Sequence, residues 1–224
     1  MLLDDFSIKT VVIASPQLSA DAVSATRVDL AWNAVTGANT YRIGYKERSA
    51  LVWNALITSD LFSTIDNLKP NTAYDFQIKS ETLEGSSPYS ATTTITTRTE
   101  LQDWLSTHNY NLDADLLADD DNDQVPLILE YALGMEPTQA AVSASSEIVI
   151  DRTTKWLTLT YSKVRRDVDY EVQTSTDLMN WITAEVDQTY AIDDTFVTAA
   201  VPLGIETGRF LRLVVSANAA TVGN

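Results

Sequence analysis

Four acidic side chains in one short run are spaced to bind a divalent cation. Counting Asp119 as position 1, carboxylates fall at positions 1, 3, 5 and 12, on Asp119, Asp121, Asp123 and Glu130. Ca²⁺ takes about six to eight hard oxygen ligands, so a short loop must curl to deliver the first three, and a following helix must supply a bidentate glutamate. The backbone carbonyl of Val125, at position 7, adds another ligand. The spacing therefore predicts a site for Ca²⁺ as cofactor.

The run resembles a calcium-binding EF-hand loop but departs from it at two positions. Position 6 normally holds glycine because the turn there needs an unusual backbone conformation, and this chain has Gln124, a misfit that costs roughly 1 kcal/mol. Position 9 is Leu127, which offers no side-chain oxygen, although a water often serves there. The alternative is a solvated acidic turn. The crowded carboxylates repel one another unless a cation compensates them, which favours the metal site. Asp113 and Asp115, just upstream, are candidates for further ligands or a second weak site.

Two short helices are expected to flank this loop. Thr99 is a suitable N-cap for a first helix, in which Leu101, Trp104 and Leu105 share one face. Pro126 suits the first turn of a second helix, which ends at Gly134. The sequence therefore predicts a helix, an acidic loop and a helix in succession.

Composition restricts the classes of protein to be considered. The chain has 224 residues, enough for two or three small domains, and a formal net charge of −16. This charge argues against nucleic-acid binding, which needs clustered Lys and Arg. No run of 18 apolar residues is present, so no membrane span is expected. Cysteine is absent, so the redox compartment is undetermined.

The first part of the chain is predicted to form a β-sandwich. Residues alternate between apolar and polar with period 2 in Val28–Trp32, Tyr41–Tyr45 and Tyr74–Ile78. Short strands at this spacing, with turns between them, are typical of a sandwich.

Particular residues in this region resemble those of a fibronectin type III domain, over about residues 14–98. Trp32 lies on the second predicted strand, Tyr41 and Tyr45 lie on the third, and Trp53 follows them. The stretch Leu68–Tyr74 resembles the tyrosine corner of that family, in which a tyrosine hydroxyl bonds to upstream backbone. In this resemblance Trp32 and Tyr74 are structural residues and not a binding site.

The last part of the chain is again predicted to be β-structure, as a second, smaller sandwich. Six strands are expected: Glu147–Asp151, Trp156–Ser162, Asp169–Ser175, Trp181–Glu185, Phe196–Leu203 and Phe210–Ser216. Aromatic spacings repeat those of the first sandwich, since Trp32 and Tyr41 are nine apart and so are Tyr161 and Tyr170. The seventh strand of the first sandwich has no obvious counterpart. An open edge is therefore expected beside Phe210–Ser216.

The stretch from Trp104 onward resembles a C-terminal segment common in large secreted bacterial proteins. The resemblance rests on the helix motif Leu129–Gly134, on a Tyr-x-Val-x-x-Ser-x-Asp-Leu-x-x-Trp pattern from Tyr170 to Trp181, and on the strand Arg209–Leu213. It implies an accessory C-terminal module and does not imply catalysis. The acidic loop also resembles half of a dockerin repeat, but dockerins have two such loops and this chain shows one.

The N-terminal segment 2–13 is predicted to be a β-strand, and the sequence indicates no neighbouring strands with which it would form a sheet. Its Leu-Asp-Asp-Phe-Ser-Ile resembles the closing strand of jelly-roll carbohydrate-binding modules. Either it ends a preceding domain of a longer protein, or it is donated to the open edge of another copy by β-augmentation. The expected division is thus 1–13 for this strand, 14–98 for the fibronectin type III-like sandwich, 99–138 for the helix–calcium loop–helix connector, and 139–224 for the C-terminal sandwich.

These features predict a non-catalytic protein, mainly β, that is secreted or displayed on a bacterial cell surface. No nucleophile elbow, phosphate loop or zinc motif is present. The favoured function is a structural, accessory one in which calcium rigidifies the joint between two sandwiches. The alternatives are a carbohydrate- or protein-binding module, with Trp156 as a weak candidate for stacking on polysaccharide, and a self-assembling extracellular filament subunit. Core packing is the expected role of Trp181.

Overall fold

The structure, a computed structural model, describes residues 12–140, 146–183, 185–190, 195–204 and 208–217, with backbone alone at 189 and 190. The chain divides into two compact units, Met1–Thr99 and Glu100–Asn224, called unit 1 and unit 2 below. The predicted N-terminal strand lies outside the described residues, apart from its last two positions. The predicted connector, 99–138, falls almost entirely within unit 2.

The described residues form fourteen strands and two helices. The strands of unit 1 are β1 (Leu18–Ala22), β2 (Val28–Trp32), β3 (Ala38–Glu47), β4 (Asn54–Thr58), β5 (Phe62–Ile65), β6 (Ala73–Thr82), β7 (Gly85–Ser86) and β8 (Thr93–Thr96). Unit 2 contains α1 (Glu100–Thr107), α2 (Leu127–Leu133), β9 (Ser146–Asp151), β10 (Trp156–Ser162), β11 (Val168–Ser175), β12 (Asp187–Tyr190), β13 (Phe196–Pro202) and β14 (Phe210–Ala217). The mainly β architecture predicted from the sequence is confirmed.

Unit 1 is a sandwich of two antiparallel sheets. One has the strand order β1-β2-β5, and the other has the order β4-β3-β6-β7 with β8 also paired to β6. The period-2 alternation places Val28, Leu30 and Trp32 on the inner face of β2, opposite Ile43 of β3 and Phe76 of β6, and all five are buried. Strand β8 also contacts β1 of the facing sheet, so it covers the gap between the two layers.

The predicted tyrosine corner is present in unit 1. The backbone N–H of Lys69 donates to the hydroxyl oxygen of Tyr74 at 3.0 Å, five residues upstream of the tyrosine. The ring of Tyr74 is buried, and its hydroxyl fixes the position of the backbone just before β6 begins. Burial of the ring together with a satisfied hydroxyl gives Tyr74 a structural role.

Unit 2 has two sheets whose inner faces share a core. One has the order β12-β13-β10-β9, and the other pairs β11 with β14. Leu159 and Tyr161 of β10 pack with Val172 of β11, and Leu133 of α2 joins the same cluster. Helix α2 therefore belongs to this core and does not stand apart from it.

The two units repeat one arrangement of strands. In unit 1 the order β1-β2-β5 faces the pair β3-β6, and in unit 2 the order β9-β10-β13 faces the pair β11-β14. The aromatic repeat coincides with it, because the rings of Trp32 and Tyr41 lie 5.7 Å apart and those of Tyr161 and Tyr170 lie 5.9 Å apart. Both Tyr41 and Tyr170 also accept a hydrogen bond from upstream backbone N–H, at 3.0 and 3.2 Å.

Five of the six strands predicted in the last part of the chain are present, with ends shifted by at most one residue. The strand predicted at Trp181–Glu185 is wrong. In this stretch Ile182 alone forms a bridge, to Thr174, and the fourth strand of unit 2 lies farther along, at Asp187–Tyr190.

A turn after β11 explains this shift. The carboxylate of Asp177 accepts hydrogen bonds from the backbone N–H groups of Met179 and Asn180, and these bonds hold the pKa of Asp177 well below its usual range. The turn leads the chain out of the sheet. Trp181 is accordingly half-buried, and the Cζ atom of Arg212 lies 4.2 Å from the centroid of its ring. The sequence predicts a core position for Trp181, and the structure does not place it in one.

Candidate metal centre

The structure brings three of the predicted ligands together. One carboxylate oxygen from each of Asp119, Asp121 and Asp123 lies within 4.8 Å of the other two, and all three residues are half-buried. Three hard oxygen donors at this separation match the ligand chemistry of Ca²⁺. Glu130 does not belong to this group of three, and Val125, whose carbonyl is the other predicted ligand, follows the group and is half-buried.

Backbone N–H groups shape the loop around the carboxylates. The N–H groups of Asp123 and Gln124 donate to the two carboxylate oxygens of Asp119 at 3.1 and 2.9 Å. The N–H of Val125 donates to Asp123 at 2.8 Å. These bonds curl the chain over the first carboxylate, so the next two point back towards it. The loop is thus folded by the same groups that a cation would need as ligands.

The backbone conformation at position 6 is the one expected of the missing glycine. Gln124 has φ of +70°, and Asn122 has φ of +63°. Left-handed conformations are tolerated by asparagine and are costly for a longer side chain. The loop keeps its shape at Gln124 despite the unfavourable residue.

One carboxylate oxygen in the loop has no protein partner. The Oδ2 atom of Asp121 is buried and accepts no hydrogen bond, whereas its Oδ1 accepts one from the Asp123 N–H at 3.2 Å. A buried carboxylate oxygen without a partner is costly, and a bound cation would compensate it. The donor set and this orphaned oxygen fit a calcium ion.

Glu130 is a buried carboxylate beside the same loop. It is 2% exposed on α2, and no Lys or Arg in the described part of the chain forms an ion pair with it. Burial first, and then the charges of Asp121, Asp123, Asp119 and Asp120, raise the pKa of Glu130 to about 7. The raised pKa means that the protein alone stabilises the ionised carboxylate of Glu130 poorly.

Helix α2 is attached directly to the segment that precedes the loop. Pro126 precedes the helix, and the first two helical N–H groups, of Leu127 and Ile128, donate to the carbonyls of Ala118 and Leu116 at 2.9 and 3.0 Å. Leu127 is buried, so position 9 of the loop contributes to the core and not to the ligand set. The helix ends at Gly134, whose φ of +71° favours glycine.

The remaining candidates from the sequence lie outside the cluster. Asp113 and Asp115 are exposed, and Asp115 accepts a hydrogen bond from the N–H of Leu117 at 3.0 Å. Trp156 lies at the start of β10 and is 37% exposed. His108, which is not a predicted ligand, follows α1, packs against Trp104 with 4.6 Å between ring centroids and a tilt of 46°, and approaches Glu136 at 3.4 Å.

Sequence reasoning did not find the elements that hold the loop in place. Both helices pack on Val168 of β11 and on Val215 of β14, which lie far along the chain. The apolar faces of the two helices show that they need a partner surface but do not identify it. The backbone donors of the loop leave no signal in the sequence at all.

Comparison with known proteins assigns unit 1 to a family. Residues 14–96 match the family model of the fibronectin type III domain, in agreement with the predicted span of 14–98. This segment, which is less than half of the chain, is therefore a fibronectin type III domain, and the expected resemblance is confirmed there. No curated protein matches the chain.

Several solved structures are similar to part of the chain. The FN1–FN3 domains of chicken CNTN1 are 25% identical over 39% of this chain and 33% of that one, with a TM-score of 0.36. The FN5 domain of Drosophila Lar is 23% identical over 38% of this chain and 97% of that one, with a TM-score of 0.33. The fn3 domain of the human collagen alpha-1(XX) chain is 20% identical over 41% and 90%, with a TM-score of 0.35. The chain thus spans about a third of the CNTN1 structure.

Proposed function

We propose that this chain is a non-catalytic structural module of an extracellular protein, in which unit 2 holds one calcium ion in the loop 119–130. The observation that carries the proposal is the convergence of Asp119, Asp121 and Asp123, with a buried oxygen of Asp121 left without a protein partner. The fibronectin type III domain in unit 1 supports a structural or binding role. No helix among the described residues is long and apolar enough to cross a membrane.

Each residue of the loop would have a defined part in holding the ion. The three aspartates would supply monodentate oxygens, the Val125 carbonyl would supply a fourth, and Glu130 would supply two from α2. An ion bound there would compensate the repulsion between these carboxylates and the burial of Glu130. It would thereby fasten α2 to the loop and to the core that α2 shares with β10 and β11.

The consequence for the protein would be stability that depends on extracellular calcium. At about 100 times its dissociation constant, an ion that binds only the folded state adds roughly 2.7 kcal/mol to the free energy of unfolding. Extracellular modules of this kind bind at about 10⁻⁴ to 10⁻³ M. Since α1 begins one residue after unit 1 ends, the same ion would also stiffen the joint between the two units.

Thermal unfolding with millimolar calcium, against the same sample in chelator, tests the proposal. We expect the melting temperature of unit 2 to rise by several degrees with calcium, and Asp121→Ala or Glu130→Ala to abolish that rise. Asp120→Ala is the matched control, because Asp120 belongs to the same acidic run, is exposed and is absent from the cluster. An equal loss of the calcium effect in the control, or no effect in wild type, would contradict a site at this loop.

A further inference from the structure

The described part of unit 2 contains no counterpart of strand β8 of unit 1. In unit 1, β8 pairs with β6 and contacts β1 of the facing sheet. In unit 2, the equivalent strand β14 pairs with β11 alone among the described strands. Among the described strands none therefore takes the position beside β14 that β8 fills beside β6, although helix α2 also contacts β14.

Inner-face residues near this position are exposed. The register of β9 on β10 places Ile148 opposite Leu159 and Ile150 opposite Leu157, so all four side chains point to the same face of the sheet. Leu157 and Leu159 are both 4% exposed, whereas Ile148 is 61% exposed and Ile150 is 56% exposed. Two isoleucines on the face of the sheet that carries the core are thus more than half exposed.

The other wall of the gap is also apolar. Leu211, Leu213 and Val215 lie on the inner face of β14, since their partners on β11 include the buried Val172. All three are only partly buried, although Val215 packs against the cluster that contains both helices, and Leu211 and Leu213 pack against the core of unit 2. The equivalent strand of unit 1, β6, has its inner-face residues buried at 0% to 4% exposure. The inner face of β14 is therefore less completely buried than that of its counterpart β6.

We propose that this gap, called here the β9–β14 groove, receives the N-terminal segment Leu2–Val12 of a second copy of the chain. The added strand would pair with the free edge of β14 and cover Ile148 and Ile150, as a donated strand completes an open sandwich. The proposal does not rest on the calcium site, because none of the groove residues Ile148, Ile150, Leu211, Leu213 and Val215 is a proposed ligand.

The sequence and length of the segment fit this groove. In an extended strand Phe6, Ile8 and Val12 share one face with Leu2, Asp4 and Thr10. The other face carries Leu3, Asp5, Ser7, Lys9 and Val11. At about 3.3 Å per residue, residues 2–12 span about 36 Å, and the eight residues of β14 span about 26 Å. Ala14 and Ser15, which follow the segment, are hydrogen-bonded to Ser80 and Pro88 of unit 1, so the segment is anchored at its C-terminal end.

Each copy offers one donor segment and one acceptor groove, so the contact is head-to-tail. A heterologous contact of this kind builds open chains unless its rotation closes a ring. Wild-type protein is therefore expected to form oligomers whose mass rises with concentration. Light scattering after size-exclusion chromatography, in excess calcium throughout, measures this directly.

Paired variants separate donor from acceptor. Phe6→Asp with Ile8→Asp should destroy the donor, and Ile148→Asp with Ile150→Asp should destroy the acceptor, and each double variant alone should be monomeric. Matched controls are Ser7→Asp with Lys9→Asp on the opposite face of the donor, and Val149→Asp on the opposite face of β9, which is already 44% exposed. Both controls should still form oligomers, because their added charges lie outside the contact.

Mixing the two monomeric variants gives the decisive result. The acceptor-defective variant keeps an intact donor, and the donor-defective variant keeps an intact groove, so a 1:1 mixture should form a dimer and nothing larger. A wild type that stays monomeric at millimolar concentration would overturn the proposal, as would oligomers that persist in both double variants. A monomeric wild type would also be the result if the segment filled the groove of its own chain.

Discussion

At the scale of single residues, the acidic loop combines groups that oppose one another in the absence of a cation. Asp119 is satisfied by two backbone N–H groups, whereas Asp121 keeps a buried oxygen without a partner. Glu130 is buried beside them with a raised pKa. The identity and spacing of these residues could be read from the sequence, because ligand spacing is local. The orphaned oxygen and the burial of Glu130 could not, because they depend on how the helices pack.

The pKa of Glu130 leads to a pH dependence of the calcium-free protein. Folding raises this pKa from 4.5 to about 7, so between these values the folded state binds more protons than the unfolded state. Stability in chelator should therefore fall as the pH rises from about 4.5 to 7, by at most about 3 kcal/mol. Urea unfolding across this range measures it.

Two comparisons test the assignment of this pH effect to Glu130. Glu130→Gln should remove the fall, whereas Glu171→Gln, at an exposed position of β11, should retain it. Saturating calcium should also remove the fall in wild type, since a bound ion keeps the carboxylate ionised. A fall that persists in Glu130→Gln would assign the pH dependence to another group.

The unfavourable conformation of Gln124 makes glycine at this position stabilising. With φ of +70°, Gln124→Gly should raise the free energy of unfolding of unit 2 by up to about 1 kcal/mol and should tighten calcium binding. Asn122→Gly is the matched control, because asparagine already tolerates its φ of +63° and should gain less. Calorimetric titration with calcium and urea unfolding give the two quantities. Equal gains at both positions would show that backbone strain at Gln124 is not the cause.

At the scale of secondary-structure elements, the hydroxyl groups of buried Tyr131 and half-buried Tyr170 join elements that are remote in the chain. Tyr170 of β11 donates to the carbonyl of Ala132 in α2 at 2.6 Å and accepts from the N–H of Arg165 at 3.2 Å. Tyr131 of α2 donates to Asp167 at 2.7 Å. Helix α2 is therefore held to the second sheet by hydrogen bonds as well as by its apolar face.

Removal of one of these hydroxyls should weaken unit 2. Tyr170→Phe leaves two half-buried backbone groups without their partner, so it should lower the free energy of unfolding by about 1–3 kcal/mol. Tyr89→Phe, at a tyrosine of unit 1 that is 40% exposed, should change it little. Urea unfolding monitored by tryptophan fluorescence compares them. A change below the experimental error in Tyr170→Phe would show that water replaces the hydroxyl.

The agreement between predicted and observed elements depends on how strongly each residue pattern repeats. Strands with period-2 alternation, such as Trp156–Ser162, were predicted with their observed ends. Leu18–Ala22 was not predicted, because its small residues give a weak alternation. Trp181–Glu185 was predicted wrongly, because the turn at Asp177 uses side-chain acceptors that a hydropathy pattern ignores. The sheet order could be proposed only from the aromatic repeat.

At the scale of the whole molecule, the two units differ in what stabilises them. Unit 1 is a sandwich closed by β8, whereas the described part of unit 2 has no such strand and packs two helices against its sheets. The sequence indicated two sandwiches because both have strands at similar spacing. It did not show that the predicted connector belongs to the core of unit 2, because that assignment depends on contacts with Val168 and Val215.

Separate cores predict separate unfolding. Differential scanning calorimetry of the full chain should show two transitions, and calcium should shift the transition of unit 2 by several degrees while that of unit 1 stays in place. Leu30→Ala, in the core of unit 1, should lower the free energy of unfolding of unit 1 by about 2–5 kcal/mol. Only the transition of unit 1 should therefore move to a lower temperature. One transition that moves as a whole in both experiments would show that the units unfold as one.

The attachment of α2 to the segment before the loop has a consequence for amide hydrogen exchange. The N–H groups of Leu127 and Ile128 are engaged by the carbonyls of Ala118 and Leu116, across the acidic loop. These two protons can exchange with deuterium only when the loop opens. Their exchange rates therefore report the opening equilibrium of the loop, residue by residue, in a native protein that is never heated or denatured.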